Sequence, residues 1–270
     1  PAGPAMADDV FLNDEEKWVR LTNVQAATDT ADLLRCFAAK TATHIERYRL
    51  THGTEVKVNG TIGIRDPKFN DYAVTFRKPD GTGHYELFGE DHTIHAPDGE
   101  VKIKNSILSF DVKGRLYERP LRAVGQTDLT PEVKDYRVDV TAGLFPYEVF
   151  SKRLPFTGVT AAVRTKGSDV NFDIKASVLG GGMTLKGKLD DSREPNPYAG
   201  ELRLDAVSFR QFAQTYSKQD DTSEGDLSGH LKFTGRMNDW KALKGNGVII
   251  IVNGNLMSVP ILGPLTPLLG

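Results

Sequence analysis

Cysteine is nearly missing from this chain: Cys36 is the one thiol in 270 residues. A single cysteine excludes an intramolecular disulfide and a cysteine-based zinc site. Set beside Leu33, Leu34 and Phe37, it reads as a small buried core residue. Long apolar runs are missing too. The longest strongly apolar stretch is Val248 to Val252, far short of the roughly 18–20 residues a spanning helix needs. No signal peptide is legible, and residues 1–12 read as a leader or cloning scar. The apolar stretch at Leu268-Leu269-Gly270 reads as part of a piece cut from a longer protein. Charge of one sign is not in excess either. Lys and Arg number 34 against 36 Asp and Glu, and no basic stripe occurs, so nucleic acid is not an expected partner. The weak net charge of −2 also argues against electrostatic docking on anionic lipid.

Catalytic signatures are likewise lacking. The chain holds no G-x-S-x-G, no H-E-x-x-H and no G-x-x-x-x-G-K-[ST]. Gly245-Asn246-Gly247 is a glycine-rich fragment, but the apolar run after it reads as strand. A phosphate cradle would need a helix N-terminus there. His92 and His95, with Glu90 and Asp91, could ligate zinc if they shared a face. In a strand their three-residue spacing puts them on opposite faces, so solvated loop histidines are expected. His44, His52, His84 and His230 have no neighbours in sequence to cluster with. Asp190, Asp191 and Glu194 could form a carboxylate pair or a calcium site. Beside Arg193 and Pro195 they read instead as a solvated hairpin exit, and Asp220, Asp221 and Glu224 as solvating residues of a linker. No cofactor and no metal site is expected.

What remains is patterning. Hydrophobic residues make up 39% of the chain and charged residues 26%, enough for a core and too balanced for disorder. Residues 13–50 read as the long helical segment. Asn13 with Glu16 suits a helix start, Trp18, Leu21 and Val24 give an apolar stripe, and Leu34, Phe37, Thr41, Ile45 and Tyr48 continue at helical spacing in a second helix. From Glu55 the period becomes two. Val56, Val58, Ile62 and Ile64, then Tyr72, Val74 and Phe76, then Val101 and Ile103, then Leu108, Phe110 and Val112 mark successive strands. Pro79-Asp80-Gly81 and Ala96-Pro97-Asp98-Gly99 read as turns between them. Gly143 to Phe150 reads as a short helix or an apolar loop. Val170, Phe172, Ile174, Ala176 and Val178 form the cleanest alternation. It turns at Gly180-Gly181-Gly182 into Met183, Leu185, Gly187 and Leu189, a hairpin. Leu202, Leu204 and Ala206 mark a further strand, Phe209 to Tyr216 a short helix, and Ser217 to Glu224 a polar linker. The division is 51–165 and 166–270 for two antiparallel β regions. About ten to twelve strands with short connections predict an antiparallel meander with one apolar face. That face closes as a barrel, stacks on a second sheet, or curls into a trough that something fills.

The last hundred residues carry a family likeness. The Phe172 to Gly187 hairpin, Tyr198 to Phe212, Gly225-Asp226-Leu227-Ser228-Gly229, Phe233-Thr234-Gly235-Arg236, Leu243 to Gly247, Asn253-Gly254 and Val259-Pro260-Ile261-Leu262 occur in order. This set resembles the C-terminal region of the AsmA-like envelope proteins over roughly residues 170 to 264. The resemblance implies a repeating β-groove protein of the Gram-negative envelope. It would be periplasmic, anchored in the inner membrane through segments outside this chain, and engaged in phospholipid traffic and outer-membrane integrity.

The expected fold is therefore mainly β (α+β): a strongly curved antiparallel sheet forming a groove or incomplete barrel, with N-terminal helices. The expected function is non-catalytic binding and transfer of phospholipid or another acyl lipid. Phe172, Ile174, Val178, Met183, Leu185, Leu204, Leu231 and Phe233 are the residues expected to line the apolar face. An eight-residue strand spans about 27 Å, close to the roughly 30 Å of a bilayer's hydrocarbon. A chain of some 16 carbons exposed to water costs about 13 kcal/mol, so a carrier needs continuous apolar surface. The competing reading is an envelope scaffold with a closed core that holds a protein partner by a sheet edge or by its helices. A hydrolase or glycan-binding domain would need a polar cleft with paired carboxylates, and the sequence shows no such pair.

Overall fold

A computed structural model describes residues 5–27, 49, 54–64, 66–87, 90–130, 135–149, 151–216 and 223–255. Among these the chain is mainly β. Sixteen strands, numbered in chain order, form one antiparallel sheet; fourteen follow the order β1-β3-β4-β5-β7-β8-β9-β10-β11-β12-β13-β14-β15-β16, and off that path β2 pairs β3 and β6 pairs β7. The order has two ends, so the sheet is open. Two compact units divide at Val138/Asp139, inside the strand Asp135–Val149. The 165/166 boundary expected between the two β regions falls within the second unit.

Unit 1 opens with β1 (Ala5–Met6) and β2 (Asp9–Asn13), which pair end to end along β3 (Trp18–Ala27). The described part of the expected leader is therefore strand. Its expected first helix is also strand, for a legible reason. Asn13 Oδ1 does accept the Glu16 N–H at 2.9 Å, but this cap-like bond closes the β2–β3 turn. Leu21 and Val24 look helical because the β3–β4 register shifts between them, at Asn23 with φ +49°. The bulge moves the inward set from Val19 and Leu21 to Val24 and Ala26, all buried. The expected second helix lies outside the described residues.

Next come β4 (Glu55–Gly63), a 3-10 turn at Pro67–Phe69, β5 (Asp71–Arg77), β6 (Thr82–Leu87), β7 (Glu90–Lys104), β8 (Ile107–Leu116) and β9 (Arg119–Asp128). The β7–β8 turn has left-handed Asn105 and Ser106, the primed turn that matches strand twist. Ala96 to Gly99 is not a turn. It is a bulge inside the 15-residue β7, with Ala96 at φ +49° and a register shift between His95 and Asp98. The bulge hands β7 from β6, which pairs its first half, to β5, which pairs its second. The core of unit 1 joins Val19, Leu21, Val24, Val56, Val58, Ile62, Tyr72, Val74 and Ile103, each 1–7% exposed.

Unit 2 holds most of β10 (Asp135–Val149), then β11 (Lys152–Lys166), β12 (Asp169–Val178), β13 (Gly181–Asp190), β14 (Pro197–Ser208), helix α1 (Phe209–Tyr216), β15 (Glu224–Arg236) and β16 (Asp239–Asn255). Gly143 to Val149 continues β10 and is neither helix nor loop, a correction; its alternation is masked by Pro146 and two aromatic residues. The expected β12–β13 hairpin is present, turning at Leu179 and Gly180, both left-handed. The α1 helix spans the expected residues. Ser208 Oγ caps it by accepting the Gln211 N–H at 3.3 Å, with Gln in the third position of a capping-box sequence.

Candidate functional site: the apolar face of unit 2

Directly opposed residues of an antiparallel ladder share a face, so the register lists what that face carries. One cross-strand row runs Val163, Phe172, Gly187, Gly200, Phe233, Gly245. The next runs Ala161, Ile174, Leu185, Leu202, Leu231, Gly247. A third runs Ala176, Met183, Leu204, Gly229, Ile249, and on the other flank Val170, Leu189 and Tyr198 end at Gly235. All eight residues expected from sequence belong to this one face. Leu202, Leu189, Tyr198, Val207, Leu227 and Ile251 also belong to it and were missed. Leu189 and Leu202 were in phase in the sequence itself, whereas Val207 is revealed only by the register, because a bulge at Asp205 and Ala206 re-phases β14. Ala206, expected inward, is left-handed and exposed, its N–H donating to Ser228 Oγ at 3.1 Å; Val207 takes the inward place.

The opposite face is polar. Asp173, Lys186, Glu201, Lys232 and Asn246 form one row, and Lys175, Thr184, Arg203 and His230 another that ends on Val248. Opposite charges sit across the ladder. Lys186 Nζ lies 3.3 Å from Asp173 Oδ2 and His230 Nε2 lies 2.8 Å from Glu201 Oε1. His230 therefore has a partner that sequence spacing could not show.

Coverage of the apolar face is uneven. At one end α1 lays Phe209 on Val207 and Leu227, with Leu179, Leu204, Phe212 and Ile251 around them. Tyr216 closes that end, its hydroxyl donating to the Val149 carbonyl at 3.0 Å, and burial raises its pKa. Away from α1, Phe172, Ile174, Leu185, Leu202, Leu231 and Phe233 are half-buried.

Aromatic rings flatten this surface. Phe172 lies over Gly187, Phe233 over Gly200 and Tyr198 over Gly235, so a side chain added at any of these glycines would run into the ring. Each ring spends its apolar area on bare backbone across the strand instead of projecting outward, the aromatic rescue of a strand glycine. Tyr198 and Phe233 meet edge to face at 6.1 Å. Beside them, at the β15–β16 turn, Tyr198, Arg236, Met237, Asn238 and Asp239 surround an open depression of about 360 Å³.

Of the polar residues singled out in the sequence, Asp220 and Asp221 lie outside the described residues, while Asp190, Asp191 and Glu224 have partners within the fold. Asp190 accepts from Ser192 N at 2.9 Å and from Ser192 Oγ at 2.5 Å, which holds its carboxyl below the usual range. Asp191 accepts from Asn196 at 3.4 Å, and Glu224 pairs with Arg210. His92 and His95 are not in a solvated loop. Both sit in β7, and His92 is 4% exposed and edge-on to Tyr117 at 6.5 Å. The spacing of the histidines alone does not reveal this burial. His84 Nδ1 lies 3.4 Å from Asp91, whose carboxyl is held below the usual range first by Arg49. Among the described residues no group of three or more His, Cys, Asp or Glu side chains could hold a metal ion. No described helix is long and apolar enough to cross a membrane. Comparison with family models, curated proteins and solved structures finds no match to this chain.

Proposed function

We propose that unit 2 is a non-catalytic lipid-binding module that receives acyl chains on its apolar face. The observation that carries this reading is a face two or more rows wide whose large side chains are half-buried beyond the reach of α1. Half-buried Leu, Ile and Phe side chains arranged without a break are unfavourable in water and gain on being covered, at about 25 cal/mol per Å². The flat rings leave few projections to dictate shape. Such a surface suits methylene chains, which need contact area more than directional bonds. The likeness of residues 170 to 264 to the AsmA-like region supports a place in phospholipid traffic within a Gram-negative periplasm, with the groove completed by curvature of the sheet.

Native mass spectrometry of the purified chain, followed by organic extraction and lipid identification, tests the proposal. The expected result is phospholipid bound at a reproducible ratio and lost in Phe172→Asp and Leu185→Asp variants whose circular dichroism is unchanged. A clean apo mass with no uptake from added phospholipid overturns it. A second reading, a scaffold that holds protein through a sheet edge, is favoured by the long exposed edge strand β16 and would then lead.

A further inference from the structure

The two ends of the unit 2 face use their polar atoms differently. At the α1 end these atoms are engaged within the fold: Arg210 pairs with Glu224, and the Tyr216 hydroxyl donates to the Val149 carbonyl. At the other end the apolar rows stop at Val170, Leu189, Tyr198 and Gly235, and the depression among Tyr198, Arg236, Met237, Asn238 and Asp239 begins. Among the described residues, the Arg236 guanidinium, the Asp239 carboxylate and the Tyr198 hydroxyl that line it have no hydrogen bond or ion pair. Arg236 and Asp239 are opposed in the register across the β15–β16 turn. The Tyr198 ring lies over Gly235 with its hydroxyl at that glycine. One end of this residue thus belongs to the apolar rows and the other to the depression, the placement tyrosine takes where an apolar phase meets water. Met237, 41% exposed, adds an apolar side chain to the rim.

The surrounding charge selects the ligand. The Met237 N–H donates to the Asn196 carbonyl at 2.9 Å, which ties the β13–β14 connection to this turn. That connection carries Asp190, Asp191 and Glu194 against one cation, Arg193, whose Nε lies 3.4 Å from Asp190 Oδ2. An anion gripped by Arg236 therefore has carboxylates close by, Asp239 first among them. Those carboxylates repel a ligand of net negative charge and attract an ammonium group. The matching chemistry is a phosphodiester that also carries an ammonium. Length agrees with chains laid along the strands: from Tyr198 to Leu204 β14 rises about 20 Å, at about 3.3 Å per residue. One leaflet of a bilayer's hydrocarbon is about 15 Å deep, half of roughly 30 Å. We infer that the depression seats the head of a zwitterionic phospholipid, its phosphate at Arg236 and its ammonium at Asp239, with the chains running toward α1. The inference rests on the lipid-binding reading of unit 2 and adds to it a direction and a choice of head group.

Vesicles of equal parts phosphatidylethanolamine and phosphatidylglycerol, incubated with the full chain, test the inference through native mass spectrometry of the lipid taken up. The expected result is phosphatidylethanolamine in excess. Arg236→Gln should lower uptake of both lipids roughly fivefold, since both carry the phosphate. Asp239→Asn should keep the uptake and lose the preference. Photo-crosslinking needs no variant: phosphatidylethanolamine with a diazirine at the chain terminus should label α1, and with one beside the head should label the β15–β16 turn. Reversed or uniform labelling overturns the inference. Equal uptake of the two lipids, unchanged by either substitution, overturns it and leaves the lipid reading of unit 2 standing. No uptake of either lipid overturns both. Displacement of the lipid by glycerophosphoethanolamine or inorganic phosphate would make the depression a site for free phosphate and also overturns the inference.

Discussion

Unit 1 and unit 2 use the same strand pattern and protect it differently. In unit 1 the alternating residues of β3, β4 and β5 are almost closed to solvent, Val56 at 1% and Val58 at 4% exposed. In unit 2 the equivalent rows on β12 to β15 are half-buried, and near-complete burial is confined mainly to the end under α1. Both units lay rings on cross-strand glycines. Phe76 covers Gly99 and Phe110 covers Gly125 in unit 1, as Phe172 covers Gly187 in unit 2. The same local device thus serves a closed core and an open face. Alternation says which side of a strand is apolar, but not whether anything lies on that side.

The comparison breaks most sharply on a buried charge. Val58→Asp should cost more than about 4 kcal/mol, since an unpaired carboxylate would enter a closed core. Leu185→Asp, on the open face, should cost about 1–2 kcal/mol, because its carboxylate can still reach water. Urea denaturation followed by circular dichroism measures both; equal costs would mean that the face of unit 2 is as closed as that of unit 1.

Within unit 2 the contrast is between the covered end and the open rows. Phe209→Ala, at 1% exposure, should cost about 3–4 kcal/mol, and Phe172→Ala about half as much. Thermal unfolding of the two variants side by side gives the ratio. Gly187→Ala comes next, at about 1–2 kcal/mol, because the new methyl displaces the Phe172 ring from its seat. A double variant Gly187→Ala/Phe172→Ala should recover part of that loss, which a double-mutant cycle reads directly.

The smallest effect is electrostatic. Arg122 grips Asp111 through Nε at 2.9 Å and Nη2 at 2.6 Å, and this bidentate hydrogen bonding is what lowers the Asp111 pKa. Asp91 and Asp190 are lowered too, by Arg49 and by Ser192. Carboxyls with folded pKa values below their unfolded ones add stability above the unfolded value, and lose it as pH falls through the folded one. Stability should therefore hold near neutrality and decline as pH drops below the ordinary carboxylate range. Because the Asp111 pair is exposed and screened, Asp111→Asn should cost at most about 1 kcal/mol and flatten part of that acid limb. Tyr72 marks unit 1 at the other extreme. Burial raises its pKa, so its contribution is complete below the ordinary tyrosine value and is lost as pH climbs through the raised one.

Much of the fold was legible because the side-chain period of a strand is fixed by the backbone. Val56, Val58, Tyr72, Val74, Phe172, Ile174, Met183 and Leu185 all stand where their alternation places them. Four left-handed residues defeat the simple reading: Asn23, Ala96, Gly158 and Ala206, each at a register shift. A bulge inserts a residue and reverses the inward parity. Hence Leu21 and Val24 imitated a helix, Ala96 imitated a turn, and Ala206 was assigned the place of Val207. Asn23 and Gly158 are residue types that take a positive φ readily, though neither type marks a bulge by itself; Ala96 and Ala206 do so only where the surrounding ladder imposes it.

The sequence by itself determined the elements whose cause is local. It set the two-residue period, the turn glycines and the Ser208 cap of α1. The tertiary structure alone decided which rows line up across six strands, where bulges re-phase them, and that α1 covers one end of the unit 2 face. Those outcomes depend on residues far apart in the chain meeting in register, and pairing between strands is not written in the pattern of either strand alone.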